Sequence, residues 1–211
     1  MKTPFTIDQF FEIFEKYNSS VFPFQIIIII IGIAAIFLVH SSKEIRNRLI
    51  AGFLGFLWLW IGIAYHIAFF SSINKAAFAF GGLFIIQGVF FTIELFRKRL
   101  EFSFTGSARG YLGYFFIIFG LIIYPIISYL LEDSFARTIS LGLPCPTTIL
   151  TFGFLMLTGA RFPKYLLIIP TLWAIIGTGA ATSFGVYQDY VMLLSAIIAN
   201  IYLLKRKKAT G

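Results

Sequence analysis

Few residues in this chain carry groups able to do chemistry, and they are widely separated: His66, Glu94, Cys145 and Asp189. His66 closes the stretch Trp58-Leu59-Trp60-Ile61-Gly62-Ile63-Ala64-Tyr65-His66. A histidine there can ligate a metal, take up a proton near neutral pH, or hydrogen-bond a neighbouring helix as a structural group. Cys145 stands between two prolines in Leu143-Pro144-Cys145-Pro146-Thr147-Thr148. Each proline removes an N–H donor, so this segment suits an irregular stretch or a first helical turn, with the two threonines placed to cap freed groups. Cys145 and His66 also suggest a soft-metal or haem site, against the plainer reading of a proline-marked helix start. The chain has one cysteine, which excludes an internal disulfide. No phosphate loop, dinucleotide fingerprint, nucleophile elbow or zinc-helix motif occurs, and there is no acid/base pair on which to rest an enzyme.

The elements that hold these residues are long apolar runs. Of 211 residues 59% are hydrophobic and only 12% charged, with mean hydropathy +0.90. That leaves too little polar material for a wetted globular surface and excludes a soluble enzyme or a disordered chain. The net charge of +8 comes from short basic clusters between apolar runs, which is a membrane pattern and not that of a nucleic-acid binder. Runs near the 20 residues needed to cross a bilayer fall at 21–40, 49–70, 77–96, 111–131, 144–159, 165–182 and 190–204. The fifth and the last are the shortest. The expectation is an all-α polytopic membrane protein with seven transmembrane helices, six being the fallback.

Basic residues set the orientation. Lys2, Lys16, Lys75 and Arg137 fall in one set of connections, and the other set holds all remaining Lys and Arg of the 17. The richer side is expected to be cytoplasmic, with the N-terminus outside and the C-terminus inside, which requires an odd number of spans. Residues 1–20 have no cationic start followed by an apolar run, and so read as no cleavable signal peptide. They carry a capping box at Thr6 and Gln9 and an apolar stripe at Ile7, Phe10, Phe11 and Phe14. This is expected to be an outer interfacial helix, a membrane float in preference to a functional lid. Residues 21–204 form one transmembrane domain and 205–211 a basic cytoplasmic tail.

A weak repeat lays Pro23 and Gly32 on Pro144 and Gly153, and Trp58 and Gly62 on Trp173 and Gly177. It suggests two parallel three-helix units around a linker helix, a layout similar to that of small seven-helix sugar transporters. Within spans, Glu94 is the exceptional charge. It lies near the cytoplasmic end and is expected to pair with Lys98 at i+4 in preference to relaying protons. The outward and inward runs then bring His66, Tyr65, Gln25, Tyr124 and Cys145 to one depth in the outer half, with Asn74 and Asp189 at the mouth. This is the candidate substrate-binding set; if a metal binds, His66 and Cys145 are its ligands.

The stretch 56–66, Phe69-Phe70 with Ile73-Asn74, the segment Gly142-Leu143-Pro144-Cys145-Pro146-Thr147-Thr148 and the opening Thr3-Pro4-Phe5-Thr6 together resemble an uncharacterised bacterial family of small multi-pass membrane proteins with a domain of unknown function. The resemblance implies a bacterial inner-membrane location and the seven-helix architecture, and no substrate, cofactor or reaction. A small-solute or ion transporter is the leading expectation. A sensor or accessory subunit of a membrane complex, or a soft-metal or haem protein, are the alternatives. The expected partners are the lipid bilayer, a small solute or ion, and a second copy or membrane partner, with no nucleic acid.

Overall fold

The computed structural model describes residues 4–159 and 162–205. Lys2 and Thr3, Arg161 and the tail beyond Lys205 lie outside the described residues, and with them part of the basic asymmetry and most of the expected tail.

Helix α1 (Ile7–Val21) begins with the expected capping box: Gln9 N–H donates to Thr6 Oγ1 at 3.2 Å and Thr6 N–H to Gln9 Oε1 at 2.9 Å. It ends ahead of Pro23, and the chain bends by 84° into α2 (Phe24–Val39). α2 is apolar on all sides but buries only the stripe Ile28, Gly32, Ala35 and Val39, while Ile30 and Phe37 are 60% and 71% exposed.

α3 (Ile45–Trp60) runs without interruption into a π-helical stretch, Ile61–Ile67, and then a short 3₁₀ turn at Phe70–Ser72. α4 spans Ala77–Arg97 and stops at Lys98, which takes the left-handed conformation (φ 49°). α5 (Ala108–Ile118) is continued by a second π turn, Phe119–Ile123, into α6 (Tyr124–Glu132). The second π turn has a cause in the sequence: Pro125 has no N–H to continue the ladder, and the preceding turn widens.

α7 (Pro144–Met156) is the shortest of the apolar runs and the most buried: every residue but Cys145 is sealed from the surface. Pro144 and Pro146 occupy its first turn, where backbone N–H groups lack partners in any helix. Thr148 Oγ1 donates to Pro144 O at 2.8 Å and Thr147 Oγ1 accepts from Gly142 N–H at 3.3 Å, so neither threonine reaches a carbonyl freed by the prolines; the Gly142 carbonyl, four residues before Pro146, accepts from the Tyr17 hydroxyl at 3.0 Å instead. α8 (Ile168–Phe184) and α9 (Tyr190–Leu204) complete the bundle, each led in by a short 3₁₀ turn, Lys164–Leu167 and Tyr187–Asp189.

Glycines set the closest crossings. A Cβ on Gly62 would stand 2.9 Å from the Gly81 carbonyl, which locks the α3 extension to α4. A Cβ on Gly153 would stand 2.7 Å from the Gly113 carbonyl, which locks α7 to α5.

Among the described residues five helical stretches are long and apolar enough to cross a membrane: Ile45–Ser72, Ala77–Arg97, Ala108–Glu132, Lys164–Phe184 and Tyr187–Leu204. The bent pair of α1 and α2 makes a sixth if counted as one span. The other expected runs are helical but shorter, 16 residues in α2 and 13 in α7.

The helix ends gather at two poles. At one, Lys98 pairs with Glu44 at 3.3 Å, Asn47 accepts from Phe102 N–H at 2.8 Å, and Arg109 donates to Thr158 O at 3.0 Å. This pole carries most of the described Lys and Arg. At the other, Tyr17 donates to Gly142 O at 3.0 Å, and Asn18 donates to Ala136 O and Thr138 O, both at 2.8 Å.

The helix triplets matched by the weak repeat pack differently. α2 rests on α3 at the periphery, whereas α7 is enclosed by α5, α8 and α9. Gly32 faces the side chains of Leu121 and Leu141, Gly153 the backbone of α5. Trp58 donates to Thr151 Oγ1 at 3.0 Å, while the Trp173 indole N–H is buried beside the Cys145 thiol.

Candidate functional site

The π turn in the α3 extension shapes the site. This part of α3 is enclosed on more than one side, so adjacent large residues are buried together, as Leu57 and Trp58 are on the regular helix before it. Here Tyr65 and His66 are 3% and 0% exposed. His66 lies edge-on to a cage of rings: Phe84 at 4.7 Å, Trp173 at 5.2 Å, Phe80 at 5.9 Å and Phe70 at 6.2 Å between centroids. Among the described residues neither of its ring nitrogens has a hydrogen-bond partner, and the buried Trp173 Nε1 has only the Cys145 thiol beside it.

These groups open on a cavity of about 390 Å³ at the pole away from the basic clusters. Tyr65, His66, Asn74, Cys145 and Asp189 all line it. The 3₁₀ turn Tyr187–Asp189 tucks Asp189 inward, to 5% exposure, where its carboxylate accepts a hydrogen bond from the Tyr124 hydroxyl. The Cys145 thiol lies against Asp189 and the Trp173 indole. Asp189 is therefore an interior group and not one at the mouth. Asn74 has its own task as well: its Oδ1 accepts from Ala76 N–H at 3.0 Å, at the entry to α4.

The roof comes from α1 and the residues before it. Phe5 stacks on Phe184 at 5.2 Å and meets Phe70 edge-on at 5.6 Å; Phe10 stacks on Phe184 at 4.6 Å, and Phe14 on Tyr65 at 5.8 Å. The anchor is polar: the Tyr17 hydroxyl accepts from Trp60 Nε1 at 2.7 Å while donating to Gly142 O, and Arg137 pairs with Glu15 at 3.1 Å. The inner face of α1 thus packs on protein above the cavity, where a float would turn it to lipid.

Gln25 does not join the other expected site residues. The 84° bend sets the first turn of α2 against Asn18, to whose carbonyl Gln25 Nε2 donates at 2.8 Å. Gln25 lines a separate apolar groove of about 780 Å³ beside Ile126 and Phe135, and α1, not α2, supplies the side chains that meet Tyr65. Trp173 and the aromatic roof are absent from the expected set. The only sequence signal for Trp173 is its match to Trp58; Phe5, Phe70 and Phe184 follow no shared period.

At the basic pole, Glu94 has a fully buried side chain, but its partner is not Lys98. Arg99 grips both carboxylate oxygens, Nε to Oε2 at 3.1 Å and Nη2 to Oε1, and the Tyr165 hydroxyl donates to Oε1 as well. Arg99 Nη2 also donates to Tyr165 Oη at 3.0 Å. The left-handed residue at Lys98 ends the helix, so i+4 no longer lies above Glu94. Lys98 turns to Glu44 and the chain returns Arg99 over the carboxylate. The hydrogen bond to Glu94 raises the Arg99 pKa above the ordinary guanidinium value.

Among the described residues no group of three or more His, Cys, Asp or Glu side chains converges to hold a metal ion. The donor set of a soft-metal centre at His66 and Cys145 is therefore incomplete.

An all-helical bundle with several membrane-length apolar helices and an aromatic-walled cavity holding a few polar groups at one pole defines the class. The chain belongs to a family of unknown function (DUF6064), whose match covers residues 7–211. No curated protein and no solved structure matches it.

Proposed function

We propose that this chain is an integral membrane protein that binds a small solute in the cavity beneath α1 and carries it across the bilayer. In this reading all seven apolar helices cross, with α7 shielded by its neighbours so that its 13 residues need not match the hydrocarbon thickness. The basic pole faces the cytoplasm, the cavity lies in the outer half, and the membrane is the bacterial inner membrane. Exposed isoleucines and phenylalanines along α2 support the lipid setting.

The observation that carries the solute site is His66. Its two unpartnered nitrogens and the Trp173 N–H stand at a cavity of a size suited to small molecules. Buried polar groups without partners are costly, and an occupant that hydrogen-bonds to them recovers that cost.

A second reading, a ligand-sensing or accessory subunit, is favoured by the packed interior between the cavity and the basic pole, where Trp58, Phe152 and Phe154 are all sealed. The lone thiol separates the two. Cys145 lines the cavity, so a membrane-impermeant methanethiosulfonate added to right-side-out or inside-out vesicles reports access from each face. A carrier exposes Cys145 to both faces in turn. Modification from the outer face alone would leave the sensor reading and end the carrier one.

A further inference from the structure

Taking the cavity as a ligand site, as proposed above, we infer that its ligand is a small organic cation: an amine in its ammonium form or a quaternary ammonium. The cavity lining contains one acid, Asp189, and neither Lys nor Arg. Asp189 forms no ion pair among the described residues and has only the Tyr124 hydroxyl and the Cys145 thiol beside it. A carboxylate held this far from water is stabilised by a positive partner, and the described residues provide none at this place.

The walls suit the same charge. Ring faces carry negative potential, and an ammonium group seated among Trp, Tyr and Phe is attracted to them. Tyr65, Phe70, Phe80 and Trp173 line the cavity together with Asp189, and Phe5, Phe10 and Phe184 close it from above. The unprotonated ring nitrogen of His66 offers an acceptor to the N–H of an amine in its ammonium form, and a quaternary ammonium meets the aromatic walls and Asp189 alone. An anionic ligand would meet Asp189 and π faces of the same sign. A neutral apolar ligand would leave Asp189 and both His66 nitrogens unanswered.

The test uses the full chain in detergent or nanodiscs, with Trp58→Phe and Trp60→Phe leaving Trp173 as the reporter tryptophan. The probes are tetramethylammonium, its near-isosteric neutral counterpart tert-butanol, and acetate. Tetramethylammonium is expected to change Trp173 fluorescence saturably, to slow Cys145 alkylation, and to bind at least tenfold more tightly than tert-butanol; acetate should do neither. Asp189→Asn should erase the preference for the cation, and Trp173→Leu, read by Cys145 protection, should weaken it. The charge comparison read by Cys145 protection on the unsubstituted chain stands even if any of these variants fails to fold. Equal binding of tert-butanol and tetramethylammonium, unaffected by Asp189→Asn, would overturn the cation assignment while leaving the cavity a solute site. No protection of Cys145 by any probe would overturn both.

Discussion

Glu94 and His66 are both fully buried polar side chains on neighbouring helices, one near each pole, and they are built on opposite terms. Glu94 is answered on every side: two guanidinium nitrogens and a phenol reach its two oxygens. His66 is answered by nothing but ring edges. Charge explains part of the contrast, since a buried carboxylate without partners would take up a proton or destabilise the fold, whereas a neutral imidazole can be held dry at smaller cost. The rest is a matter of role. A completed network rigidifies the place it occupies. An incomplete one beside a cavity is a binding surface whose last members arrive from outside. Glu94 therefore reads as a clasp that ties the end of α4 to the start of α8 through Tyr165, and His66 as part of a site.

The largest effect that would break this comparison is loss of the clasp. Arg99→Ala leaves Glu94 buried with one hydroxyl partner. Breaking a fully buried pair costs about 3–5 kcal/mol. Because the Arg99 side chain is 38% exposed and water screens it, the expected loss is lower, about 2–3 kcal/mol. Thermal unfolding in detergent measures it, and a change below 1 kcal/mol would reduce the clasp to an ordinary surface pair.

His66→Leu should go the other way. It removes two unpartnered nitrogens from an apolar cage and keeps most of the volume, so stability is expected to hold or rise by about 1 kcal/mol. Binding at the cavity should disappear. A marked fall in the unfolding temperature would make His66 a structural histidine with partners the geometry does not show, and the contrast with Glu94 would collapse.

Much of this architecture is legible in the sequence, and the failures share a cause. The seven apolar runs all fall on helices because a run of that length has no other way to satisfy its backbone away from water. Tyr65, His66, Cys145 and Asp189 meet at one cavity, as direction and depth along the runs suggest. What periodicity misses is every departure from a straight α-helix. The π turn at Ile61–Ile67 shifts Tyr65 and His66 out of α-helical register. The 84° bend removes Gln25 from the site and swings α1 over it. The 3₁₀ turn before α9 buries an aspartate expected at the rim. The roof of Phe5, Phe70 and Phe184 joins three distant segments, and no local pattern encodes such a meeting.

The smallest expected effect sharpens the comparison most finely, because it separates two adjacent basic residues. By i+4 spacing Lys98 is the natural partner of Glu94; in the fold it caps α4 in the left-handed region and reaches Glu44 instead. That ion pair is exposed on both sides, 54% and 77%, and such pairs contribute about 0–1 kcal/mol. Holding a residue with a Cβ in the left-handed conformation costs about 1 kcal/mol, a cost glycine does not bear, which is why glycine is the usual residue after a helix end. The two terms oppose each other with the second slightly larger. Lys98→Gly should therefore leave stability unchanged or raise it by about 0.5 kcal/mol, and the Lys98 N–H to Glu94 O bond that closes the helix is retained because it belongs to the backbone. Were Lys98 the true counter-charge of Glu94, the same change would cost as much as Arg99→Ala. Measuring the two variants side by side in one detergent decides which residue holds the buried carboxylate, and with it whether the basic pole is the closed, fully partnered counterpart of the cavity.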